Sequence, residues 1–138
     1  MKVNELQIGD YINYRGQIIK VTSLYDKGGS NEVGWSDKES VWVNADNVEP
    51  IPLTHEIFVK IGFIKDGSDG WVYIHPDDST FSYVDYKILW RTDYDNHLFI
   101  KKYKGSGTSA TLQISDINYV HQLQHALRLC GIEKEIIL

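Results

Sequence analysis

His121 and His125 stand four residues apart in the run Tyr119-Val120-His121-Gln122-Leu123-Gln124-His125. On a helix that spacing sends both imidazoles from one face, as two ligands of a metal centre require. A zinc or iron site needs a further ligand, which Asp77, Asp78, His75 or His97 could supply only through the fold. The intervening Gln122-Leu123-Gln124 contains no glutamate, so the H-E-x-x-H pattern is absent. His121 and His125 are the metal candidates, and a metal-dependent hydrolase is the enzymatic alternative they open. The plainer expectation is that His121, Gln122 and Gln124 edge the helix and hydrogen-bond to sheet or loop backbone.

Other constellations fail at a definite residue. Asp93-Tyr94-Asp95-Asn96-His97 opens with the oxygen spacing of a calcium loop, but Leu98 stands where that loop needs Gly and Lys104 where it needs Glu. It reads as a hairpin turn, and Asp66 to Gly70 reads as another turn. Gly105-Ser106-Gly107-Thr108-Ser109-Ala110 has the letters of a dinucleotide loop, yet Thr111-Leu112-Gln113-Ile114 continues as a strand where a pyrophosphate needs a helix N-terminus. No phosphate-binding G-x-x-x-x-G-K-[ST], nucleophile elbow or C-x-x-C occurs. Cys130 lies on the stripe of Leu123 and Leu127 in the last helical turn, where the dipole disfavours a thiolate, so it reads as a buried, inert thiol.

Lys101, Lys102 and Lys104, with Lys87 and Arg91, stand among Trp90, Tyr94 and Phe99. Cations interleaved with aromatics on a sheet bind single-stranded nucleic acid by stacking. Asp85, Asp93 and Asp95 lie in the same stretch, and residues 51–138 hold 9 basic and 11 acidic residues, a net −2. A solvated sheet face is the preferred reading. Tyr11, Tyr14, Trp35 and Trp42 could line a shallow groove for an extended peptide, with Trp42 expected inside and Trp35 on a loop.

The elements that position these residues follow from periodicity and turn chemistry. Tyr11–Tyr14, an Arg15-Gly16 turn and Gln17–Leu24 read as a hairpin, followed by a polar loop from Asp26 to Asn31. Val41-Trp42-Val43 leads through Asn44–Asn47 to Val48–Pro52. The whole is expected to form a small SH3-like barrel with a 3-10 connection into a short closing strand. At Leu53 the period lengthens. Thr54 is an N-cap, Glu56 lies in the first turn, Leu53 and Phe58 form a staple, and Gly62 with Phe63 stops the helix. Its buried stripe is Ile57, Phe58 and Ile61. Trp71–His75, Thr80–Asp85, Tyr86–Thr92, His97–Tyr103 and Ala110–Ile114 predict an antiparallel meander of four or five strands. A second helix, about Asp116 to Cys130, is expected to be capped by Ser115 and stopped by Gly131 and Ile132. Ile117, Val120, Leu123 and Leu127 recur along it at helical spacing, and it is expected to lie along one face of the sheet.

The segments "NELQIGDYI", "IPLTHEIFVKIGF" and "INYVHQLQHAL" together resemble a group of small proteins of gut Bacteroidetes and their mobile elements, over nearly the whole chain. In that group the last motif continues as an apolar helix ending near a Gly. His121, Gln122 and Gln124 match its recurrent core, whereas His125 falls where Asn or another polar residue is expected. The resemblance implies an order of elements and no activity.

The chain has 138 residues, of which 42% are apolar and 24% charged, enough for one domain or two small ones with a real interior. Its net charge of −5, spread as −3 over residues 1–52 and −2 beyond, argues against a dedicated nucleic-acid or anionic-membrane binder. A single cysteine excludes a disulfide framework within one chain. No secretory leader is visible and no apolar run approaches the roughly 20 residues of a membrane span, so a cytoplasmic location is expected. The fold expected is α+β: an SH3-like barrel over 1–52, then helix, antiparallel meander and helix over 53–138, packed together. The preferred function is a non-catalytic protein-binding or adaptor module. No cofactor is expected, the protein partner is unknown, and self-association is left open. The binding candidates are Tyr11, Tyr14, Trp35, Lys101, Lys102, Gln122 and Gln124.

Overall fold

Tyr11–Tyr14 (β1) and Gln17–Lys20 (β2) pair antiparallel with Ile12 opposite Ile19, and this pair turns inward while Ile18 stays exposed. The computed structural model describes residues 1–35, 41–67, 70–76, 84–91, 96–104, 107–132 and 136–138, with the backbone alone at 74–76, 84–86, 102–104 and 107–110. After β2 the expected hairpin stops. Val21 and Thr22 give their N–H groups to Asp10 and Gly34, and a new strand, Ser23–Lys27 (β3), begins.

The expected polar loop at Asp26–Asn31 is instead the tip of a second hairpin, β3 with Ser30–Gly34 (β4), whose ladder runs out to Lys27 opposite Ser30. Gly28 and Gly29, with φ of 63° and 87°, form a two-residue turn of the kind that needs positive φ at both positions and matches the strand twist. Polar composition concealed this hairpin. Trp42–Asn44 (β5) adds to β4, so the three strands order β3-β4-β5 beside the separate pair β1-β2. Leu24, Val33 and Val43 share the inner face, where Val33 is fully buried with Ile12, Val21, Ala45 and Val48.

The expected 3-10 connection is present at Ala45–Asn47, capped by the Asn44 side chain, which accepts from Asp46 N at 2.9 Å. It delivers Glu49 to an antiparallel bridge with Asn13, the two exchanging N–H···O bonds of 2.9 Å. Among the described residues no strand ladder joins the two sheets into a closed barrel.

The first helix, His55–Lys60 (α1), starts and stops as its residues dictate. Thr54 Oγ1 accepts from Ile57 N, and Gly62 and Phe63 return their N–H groups to Val59 and Phe58. Hydrogen bonds from its own backbone and from Thr54 hold the Glu56 carboxyl below its ordinary value. Ile64–Asp66 (β6), Gly70–Pro76 (β7), Val84–Arg91 (β8), His97–Lys104 (β9) and Gly107–Ile114 (β10) form a five-stranded antiparallel meander in the order β10-β9-β8-β7-β6. β6 was not anticipated, its three residues being too few to show a period. Residues 86–91, expected to start a separate strand, continue β8 from Val84; of the loops expected at 93–96 and 104–107, residues 93–95 and 105–106 lie outside the described residues, as do Asp77 and Asp78. Phe58 stacks on Trp71 at 5.3 Å and meets Trp90 at 4.7 Å and Phe63 at 5.2 Å, and these rings are the core of this part.

The second helix is Val120–Leu129 (α2), four residues later than expected. Asp116 takes a left-handed φ of 61°, and Ile117 is committed elsewhere: its N–H goes to Asn96 O and its carbonyl accepts from Trp90 Nε1 at 2.8 Å. The left-handed turn at Asp116 and the Ile117 carbonyl bonded to the Trp90 indole keep the helix from starting here, so Ser115 does not cap one. The Gln122 side chain instead accepts from Tyr119 N at 3.2 Å. The stop at Gly131 (φ 67°) is as expected, with Ile132 N returning to Leu127 O.

The chain divides into two compact units, Met1–Leu53 with Tyr119–Ile136 and Leu138, and Thr54–Asn118 with Ile137. α2 thus belongs with the N-terminal segment and packs on β1, whereas its place in the sequence suggested the meander as its partner. Pro52 bridges to Tyr119, and Val120 N donates to Ile51 O at 2.9 Å, closing the first unit where the chain leaves and re-enters it.

Candidate functional site

Gly9 and Asp10 turn the chain into β1, and the Asp10 side chain is wholly buried. A carboxylate without water costs several kcal/mol unless it is paired and hydrogen-bonded. Here its Oδ2 accepts from Gln7 N at 2.8 Å and pairs with Nε2 of His125 at 2.7 Å, while its Oδ1 accepts from Nη1 of Arg128 at 2.8 Å. Arg128 also donates to Gln7 Oε1 at 2.9 Å. His125 and Arg128 lie three apart on α2, so one turn of helix presents both to one carboxylate.

Gln124, between them, is also buried. Its Oε1 accepts from Tyr11 N at 3.1 Å and its Nε2 donates to Gly9 O at 3.0 Å. The amide thus takes the place of a neighbouring strand for the segment around Asp10. The plain expectation of bonds to sheet or loop backbone therefore holds for Gln124, whereas Gln122 accepts from Tyr119 N, the cap of its own helix.

It does not hold for His121. This side chain is 6% exposed, its Nδ1 has no hydrogen-bond partner, and its ring lies parallel to Tyr119 at 5.9 Å and edge-on to His125 at 5.7 Å. Burial pushes its pKa below the ordinary 6.5; Asp10 and Glu5 oppose that shift and His125 adds to it. A cleft of about 380 Å³ opens here, lined by Glu5, Pro50, Tyr119, His121, Gln122 and His125 together with Met1.

His121 and His125 do share a face, as their spacing requires, but the Nε2 of His125 is taken by Asp10. Among the described residues no group of three or more His, Cys, Asp or Glu side chains is placed to hold a metal ion. Cys130 is the half-buried C-cap of α2.

Tyr14 and Trp35 are half-buried against the core of the first unit with ring centroids 5.1 Å apart, and Tyr11 lies under Lys20 Nζ at 5.8 Å. Trp42, expected inside, is 41% exposed, and it forms an edge-to-face pair with Tyr25, itself 44% exposed, at 6.4 Å. On β3-β4-β5 the inward positions are Leu24, Val33 and Val43, and alternation sends Trp42 to the other face. Lys101 lies opposite Lys87 on β9 and β8, and the side chain of Lys102 lies outside the described residues. Trp90, one of the rings expected to stack bases, is 7% exposed and part of the core.

Asp10, Arg128, Gln7 and Tyr25 carry much of this arrangement and were not singled out in the sequence. Nothing in a linear chain pairs position 10 with positions 125 and 128. No helix among the described residues is long and apolar enough to cross a membrane. No family model matches the chain, and neither a curated protein nor a solved structure similar to it is found.

Proposed function

We propose that this protein is a non-catalytic binding module whose N-terminal sheets recognise an extended protein segment carrying Lys or Arg. The observation that carries the reading is the Tyr25–Trp42 pair on the outer face of β3-β4-β5. Two large rings left in water are costly to keep unless they are used, and Trp and Tyr dominate binding energy at protein interfaces. Glu32 lies directly opposite Tyr25, and Gly34 directly opposite Trp42, in the same ladder. A Cβ at position 34 would run into Ser23 Oγ, so the sheet stays low beside the indole. Aromatic faces beside a carboxylate attract a cationic side chain, and the 5 basic and 8 acidic residues of 1–52 (net −3) favour the same partner. The hairpin, three-stranded sheet, 3-10 turn and Asn13–Glu49 bridge support an SH3-like reading of this part, a fold that takes extended peptides on aromatic surface.

An array of extended peptides with and without Lys and Arg, probed with the full chain, tests the proposal. Cation-bearing peptides should bind, and Trp42→Ala should weaken them by about tenfold or more while the fold persists. Absence of binding, or equal retention of the Trp42→Ala variant, overturns it.

A further inference from the structure

The outer face of β3-β4-β5 holds a carboxylate without a counter-charge. Glu32 is half-buried on the middle strand, with Tyr25 and Asn44 beside it in the same cross-strand row. Among the described residues its side chain accepts no hydrogen bond and forms no ion pair. Asn44 turns its Oδ1 to Asp46 N instead. The one basic residue of the three strands, Lys27, is exposed at the hairpin end opposite Ser30, one row further from Trp42. A carboxylate partly withdrawn from water gains most from a cation that brings its own hydrogen bonds.

Two rings set the shape around it. Residues directly opposite on paired strands are neighbours, and diagonal ones lie within reach of an aromatic side chain. A Cβ at Gly34 would stand 3.4 Å from Cε3 of Trp42, so the indole reaches over position 34, next to Glu32 on the same face of β4. Tyr25 meets that indole at 75° with centroids 6.4 Å apart, and both rings are exposed. Their planes form a corner, with the strand of the carboxylate between them.

We infer that this corner selects arginine over lysine in the extended segment, an inference that rests on reading this face as the binding surface. A guanidinium is planar and weakly hydrated on its faces. It can lie against an aromatic plane while its N–H edge forks onto the Glu32 carboxylate. An ammonium is a compact, strongly hydrated charge, and against a ring it gives up water without gaining a forked pair. Trimethyl-lysine has no N–H for Glu32 and suits a cage of aromatic walls, whereas two rings here leave the corner open.

Short peptides of alternating Thr and Ser, differing only at a central Arg, Lys, trimethyl-lysine or citrulline, test this by fluorescence anisotropy with the full chain. The Arg peptide should bind about tenfold tighter than the Lys peptide, and citrulline, flat but uncharged, should lose as much. Glu32→Gln keeps the side-chain shape and should bring Arg down to the level of Lys. Trp42→Ala should weaken both. The ranking of the peptides needs no variant, so it stays decisive even if Glu32→Gln fails to fold. Equal binding of Arg and Lys, trimethyl-lysine binding as tightly as Arg, or a folded Glu32→Gln variant with its preference intact overturns the inference and leaves the binding-module reading standing. Failure of every cationic peptide to bind overturns both.

Discussion

Asp10 has no exposure, whereas its partners Arg128 and His125 keep 37% and 26% of their side chains in solvent. That difference makes their deletions unequal. Arg128→Met combined with His125→Phe strands a carboxylate away from water and should cost about 3–5 kcal/mol. Asp10→Asn leaves partners that water can reach and should cost about 1–2 kcal/mol. Urea denaturation of the two variants ranks them, and an inverted order would mean that Asp10 is not the centre of the cluster. His121 sets a pH dependence. Burial lowers its folded pKa, so the unfolded chain takes up a proton first as pH falls through about 6.5, and stability declines in that direction. The lost stability is present above that pH. His121→Phe should flatten the slope between neutral and mildly acidic pH, and an unchanged slope would assign it to other groups.

At the scale of elements, the two helices show where local signals suffice. Thr54, Gly62 and Phe63 bracket α1, and Gly131 with Ile132 ends α2, because each of these bonds closes within a few residues. The start of α2 was misplaced because the competing bonds to Ile117 come from Asn96 and Trp90, far along the chain. Thr54→Ala and Gly131→Ala should therefore each cost about 1 kcal/mol, the first as a lost cap and the second as a left-handed residue given a Cβ. Ser115→Ala should stay within about 0.5 kcal/mol, since it caps nothing. Thermal unfolding of the three variants checks this, and a loss at Ser115 equal to that at Thr54 would place a helix cap at Ser115. The hairpin at Gly28-Gly29 was overlooked for a related reason. Its strands carry Asp26, Lys27, Ser30 and Asn31, polar residues whose pairing comes from turn geometry and leaves no apolar alternation to read.

On the scale of the whole molecule, the Thr54–Asn118 unit is an insertion within the other. Pro52 and Tyr119 are bridged, which puts their Cα atoms about 5 Å apart. Replacing 54–118 by a Gly/Ser linker of about four residues should therefore leave a chain that unfolds cooperatively and keeps the near-ultraviolet signal of Tyr14 and Trp35. A molten product would show that the first unit depends on the second for its folding. The α+β class, the meander and both helix stops were legible in the sequence because turn residues, caps and side-chain period act over a few neighbours. The candidate cleft was legible only as two histidines on one face. That Asp10 holds His125, that His121 is buried without a partner, that Glu5 and Tyr119 join it, and that Trp42 faces water were decided by contacts between segments more than 100 residues apart and by which face of a sheet found the core. Local chemistry sets what each segment can become; burial, which depends on every segment at once, sets which side chains are left to act.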